Sequence, residues 1–72
     1  MNSTVVETVD AHGISRGSIK FENGITYFYD ENDVLVGVEK LPGQIVDPNG
    51  SNLSREIQTK VRNIRNIFRN RM

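Results

Sequence analysis

The sequence predicts an α+β domain: an antiparallel β-meander of three to four strands with one C-terminal amphipathic α-helix packed on one face. Three observations carry that expectation. Val and Ile supply 8 and 7 of the 26 apolar side chains, whereas Leu supplies 3 and Ala 1. Side chains branched at Cβ are stiff about χ1 and fit a pleated sheet better than a helix. Asn23-Gly24 separates two β-rich runs, and this dipeptide best accepts the two positive φ angles of a type I′ hairpin turn. From Leu53 onward the apolar period changes from that of a strand to that of a helix.

The elements follow in order. Thr4 to Val9 is rich in β-formers and gives way to Asp10-Ala11-His12-Gly13, which has the composition of a turn. Ile14 to Glu22 and Ile25 to Tyr29 are the arms of the hairpin. Asp30 to Asp33 is a second polar turn, and Val34 to Leu41 is a further β-rich run. Pro42-Gly43 stops that run, and Asp47 to Asn52 is dense in turn formers, with Ile45 and Val46 able to pin the connection to the core. The chain therefore divides into a meander over 4–41, a loop over 42–52 and a helix over 53–72, all within one small domain spanning 1–72.

A two-residue turn at Asn23-Gly24 sets the register of the first hairpin. Glu22 lies opposite Ile25, Phe21 opposite Thr26, Lys20 opposite Tyr27, Ile19 opposite Phe28 and Ser18 opposite Tyr29. One face then carries Ile19, Phe21 and Phe28, and the other carries Ile25, Tyr27 and Tyr29 beside Lys20 and Arg16. The second turn leaves two arrangements open. A three-residue loop sends Val34, Val36 and Val38 to the Phe28 face, and a loop of two or four residues sends them to the Tyr face. Under either arrangement both faces carry apolar groups, and the chain has a single helix to cover them.

That helix is legible from its stripe. Leu53, Ile57, Val61, Ile64, Phe68 and Met72 are spaced 4, 4, 3, 4 and 4 residues apart, which keeps them within an arc of about 100°. Asn52 or Ser54 is the expected N-cap, Glu56 sits in the first turn and Arg69 and Arg71 in the last, matching the helix dipole. With no Ala and with Asn63, Asn66 and Asn70 inside it, the helix needs packing to persist. Arg55, Arg62 and Arg69 recur every seven residues and, with Arg65 between them, form a ridge along one flank of the stripe; Lys60 and Arg71 fall on the other flank. The same stripe resembles a coiled-coil seam, but at about two heptads it is too short to stand alone, so helix pairing across a two-fold would need support from the sheets.

The formal charge is zero, but it is polarised. Met1 to Leu53 holds 3 basic against 8 acidic residues, and Ser54 to Met72 holds 6 basic against Glu56 alone. There is no Cys and one His, so no disulfide, thiolate site or paired-imidazole zinc site can form. Asp30, Asn32 and Asp33 open like a calcium loop, but Val34 takes the next ligand position. No catalytic, cofactor-binding or metal-binding residues are expected, and no small-molecule substrate or enzymatic activity. Met1 to Asp10 lacks the pattern of a secretory signal, and no apolar run reaches membrane-spanning length. A soluble cytoplasmic chain with no membrane partner is the expectation.

A chain of 72 residues gains little from a bare core, about 3 to 5 kcal/mol, so a partner or a second copy of itself would help it. The expected function is a small non-enzymatic protein–protein interaction module, an accessory subunit or inhibitor of a size that suits a bacterial or phage factor. The candidate partner-binding residues are Arg55, Arg62, Arg65, Arg69, Tyr27, Tyr29, Lys20 and Arg16. Two readings compete with this one. Arginines beside a buried stripe can pair with the carboxylates of the sheet. Alternatively, the basic helix, with or without the tyrosines, can bind nucleic acid, although the acidic half opposes long-range capture.

Overall fold

A computed structural model describes residues 3–9 and 12–70. The strands are β1 (Ser3–Val9), β2 (Ser15–Glu22), β3 (Ile25–Tyr29), β4 (Leu35–Leu41) and β5 (Gln44–Val46), followed by α1 (Arg55–Asn70). The sheet is antiparallel in the order β1-β2-β3-β4-β5, and α1 packs against one face of it. This is the predicted α+β meander, with one strand more than expected. Asp10 and Ala11 of the first turn, and Arg71 and Met72 at the end of the expected helix, lie outside the described residues.

The first hairpin has the register that Asn23-Gly24 implies, from Glu22 opposite Ile25 to Ser18 opposite Tyr29. Asn23 and Gly24 take φ of 54° and 78°, the paired positive angles of a type I′ turn. The second hairpin closes on a three-residue loop, the first of the two arrangements weighed above, but a register shift in β4 keeps the valines from all following Phe28. The Asp30 amide donates to the Val34 carbonyl at 3.0 Å, which leaves Glu31-Asn32-Asp33 as a three-residue loop. The Asp30 carboxylate accepts from the amides of Asn32 and Val34 at 2.8 and 3.0 Å, and Asp33 takes a φ of 62°. The valines do not move together. Tyr29 pairs with Leu35 but Phe28 pairs with Gly37, so Val36 is the extra residue of a β-bulge and the alternation changes phase there. Val36 joins the core beneath the helix, Val38 lies opposite Tyr27 on the other face, and Val34 is exposed at the turn.

The expected loop over 42–52 contains β5. Pro42-Gly43 turns the chain back instead of ending the sheet: Leu41 pairs with Gln44, Glu39 with Ile45 and Val38 with Val46. Three residues between two clusters of turn formers show no alternation, so backbone pairing with β4 defines this strand. Ile45 packs against the core, as its place in the connection suggested. Beyond it, the Asp47 carboxylate accepts from the amides of Asn49 and Ser51 at 2.9 and 2.8 Å, and Asn52 bridges back to Val46.

Ser54, of the two candidates, caps the helix: its hydroxyl accepts from the Ile57 amide at 3.3 Å. Leu53 is buried just before the helix begins. Val61 and Ile64 close over Ile19, Phe28, Val36 and Leu53, with Phe21, Ile45, Ile57 and Phe68 packed around them. Phe21 and Phe68 meet at 5.7 Å between ring centroids. Ile64 enters a space that only a glycine leaves open: a Cβ at Gly17 would stand 2.9 Å from Ile64 Cδ1.

Candidate functional site

The helix covers one side of the sheet, so strand alternation decides what lies on the other. Opposite residues share a face, and the registers place Val5, Lys20 and Tyr27 together with Val38 and Val46. Tyr29 and Leu35 oppose each other next along β3 and β4, and Ile25 lies at the far end of β3. Lys20 Nζ stands 4.9 Å from the Tyr27 ring centroid, 5.9 Å from that of Tyr29 and 3.9 Å from the Glu22 carboxylate. Its ammonium is held above the ordinary lysine value, chiefly by a hydrogen bond with Tyr29, with the Glu22 charge adding to it against some desolvation. Beside this cluster runs a groove of about 460 Å³, lined by Tyr27, Leu35, Val38, Val46 and Pro48, with Lys40 and Asp47 supplying charge. Among the described residues no second helix or sheet packs over this face, but the loop from Asp47 to Gly50 flanks the groove; Val38 is buried there, and Tyr27, Tyr29, Leu35 and Val46 are half-buried.

The arginine ridge lies on the helix side, and its members do not act alike. Arg65 turns inward, its guanidinium hydrogen-bonded to Glu39 Oε1 and 5.8 Å from the Phe28 ring centroid. Glu39 is buried, and its Oε2 accepts from the Gly43 amide at 2.6 Å. One carboxylate therefore ties the helix to the turn between β4 and β5. We expect Glu39→Ala to cost about 2 to 3 kcal/mol, since it strands a partly buried guanidinium and an amide, and urea melts measure that loss. By contrast, Arg55, Arg62 and Arg69 are exposed and form no ion pair among the described residues. On the other flank Lys60 meets Glu31 at 3.8 Å at the surface, a pair worth at most about 1 kcal/mol.

The eight candidate residues thus do not converge. Tyr27, Tyr29 and Lys20 share the open sheet face, whereas Arg55, Arg62 and Arg69 line the helix on the opposite side. Arg65 is committed to the clasp with Glu39. Arg16 is the extra residue of a bulge in β2, between Ser15 opposite Val9 and Gly17 opposite Thr8, and it is exposed beyond the last β2–β3 pair. The sequence reading missed Val5, Leu35 and Val46 as parts of the Tyr face, and placed Val38 there only under a loop of two or four residues. For Val38 the missing signal was the bulge, which resets the alternation of β4.

Among the described residues no three His, Asp or Glu side chains come together to hold a metal ion, and no helix is long and apolar enough to cross a membrane. A scan against protein-family models finds no match, and searches of curated proteins and of solved structures find none either.

Proposed function

We propose that the protein is a non-enzymatic protein–protein interaction module, an accessory subunit or inhibitor that seats its partner on the open sheet face around Tyr27, Tyr29 and Lys20. One observation carries this reading: among the described residues five strands share a single helix, so no helix or sheet covers the face bearing the half-buried Tyr27, Tyr29, Leu35 and Val46, and a groove remains open beside them. A partner gains apolar and aromatic area there. Tyrosine supplies that area with few rotatable bonds to freeze, and aromatic side chains dominate interface centres. Lys20, steadied by both rings, offers a directed positive charge at the centre of the patch.

Affinity capture from the source cells with three proteins tests the reading: wild type, Tyr27→Ser with Tyr29→Ser, and Arg62→Ala with Arg69→Ala. The tyrosine pair should lose the bound partner. The arginine pair should stay folded, its stability within about 0.5 kcal/mol of wild type because the side chains are exposed. A partner retained by the tyrosine variant and lost from the arginine variant would move the interface to the helix.

The exposed arginines favour a second reading, nucleic-acid binding along α1. Successive members of the row lie about 10.5 Å apart along the axis. With Arg65 withdrawn, three guanidiniums remain, and three phosphate contacts give a log K against log salt slope of only about −2.7. Titration of labelled single- and double-stranded oligonucleotides measures that slope, and absence of binding at low salt removes this reading.

A further inference from the structure

The two edges of the sheet are built differently. β5 is three residues long, and Asn52 bridges to it from the loop. β1 is seven residues long, reads Ser-Thr-Val-Val-Glu-Thr-Val, and contains no Pro, Lys or Arg. Natural edges are shortened, covered, or given such residues because a bare row of amides and carbonyls templates another strand. β1 departs from that pattern except for its single Glu and a bulge at its far end, between Thr8 and Val9.

The direction of the free backbone groups follows from the hairpin. In a type I′ hairpin the residues flanking the turn form a hydrogen-bonded pair, and bonded and non-bonded pairs then alternate. Glu22, Lys20 and Ser18 therefore bond to β3, and Phe21, Ile19 and Gly17 bond to β1, where their partners are Thr4, Val6 and Thr8. That leaves the amides and carbonyls of Ser3, Val5 and Glu7 pointing away from the sheet. Val5 is at the centre of this outward row, and its side chain is 64% exposed on the open face.

We propose that β1 pairs antiparallel with β1 of a second copy of this chain, about a two-fold axis through Val5. The strand is complementary to itself in that register. Val5 faces Val5 of the other copy, so two exposed valines become a cross-strand pair. In this register Glu7 falls opposite Ser3 of the other copy, whereas a register centred on Glu7 would set two residues of like charge opposite each other. An axis perpendicular to the sheet puts both helices on one side and both tyrosine clusters on the other, in a sheet of ten strands. This pairing is independent of the partner reading above, since it uses the edge and leaves Tyr27 and Tyr29 uncovered.

Proline at Val5 separates this pairing from the fold, because the Val5 amide points outward and makes no bond to β2. In sedimentation equilibrium, wild type should dimerise as concentration rises, and Val5→Pro should weaken the dimer about 100-fold, since each copy loses the amide bond at the axis. Its circular dichroism should match wild type. Amide exchange provides a second measurement on the unaltered chain: Val5 and Glu7 should gain protection with concentration. A strict wild-type monomer at several hundred micromolar, an undiminished dimer in a folded Val5→Pro, or exchange at Val5 and Glu7 independent of concentration would each overturn the proposal.

Discussion

Ile64→Asp is expected to leave the domain unfolded at room temperature. Ile64 is 1% exposed, and its neighbours Ile19, Phe28, Val36, Leu53 and Val61 offer a carboxylate no donor. Losing the buried isoleucine removes roughly 2 to 3 kcal/mol, and an unpaired charge in its place costs several more. A domain of this size holds only about 3 to 5 kcal/mol in its core. Circular dichroism and amide chemical-shift dispersion should both show the collapse, while Ile64→Val should cost about 1 kcal/mol and remain folded. An Asp variant with an unchanged cooperative melt would show that the helix stripe is not part of the core.

The second large effect lies across the same contact. Gly17 takes a φ of 137°, and a Cβ there would stand 2.2 Å from the Tyr29 carbonyl oxygen as well as 2.9 Å from Ile64 Cδ1. Side chains can rotate away from a clash, but the Tyr29 carbonyl belongs to a strand paired on both sides. Gly17→Ala must therefore distort the sheet or lift the helix, and the backbone adds strain because an L-residue rarely adopts this angle. Overpacking and strain each cost about 1 to 3 kcal/mol, so the variant should approach complete loss of stability in a urea titration. Gly24→Ala provides the comparison. It also has a positive φ, but a Cβ there meets nothing within 4 Å, so it should cost about 1 kcal/mol.

What could be read in the sequence depended on whether the cause of each element was local. The demand of Asn23-Gly24 for positive φ is met within two residues, so the first hairpin and its register were legible to the residue. The helix stripe was legible because its period extends over four turns. The β4 bulge was not, since Val36 and Gly37 share one partner only through their packing against Phe28 and the helix. A Cβ at Gly37 would stand 3.3 Å from Val61 Cγ2. β5 was hidden because three residues are too few to alternate. For the candidate site, the tyrosine face followed from the first register, whereas the fate of each arginine depended on distant partners. Glu39 lies 26 residues before Arg65, and no spacing rule singles it out from the other acidic residues of the sheet. The weighed alternative, arginines pairing with the sheet, describes Arg65 and leaves Arg55, Arg62 and Arg69 to the surface.

The two oxygens of Glu39 serve different parts of the chain, one the helix and the other the last turn of the sheet. When α1 lifts, that carboxylate loses its counter-charge and the shortest strand loses the cover of Leu53 and Val61 above Ile45. Local openings of proteins follow such shared contacts and proceed in contiguous blocks. The segment from Pro42 to Asn70 should thus come loose as one unit, while the hairpin around Asn23 still holds.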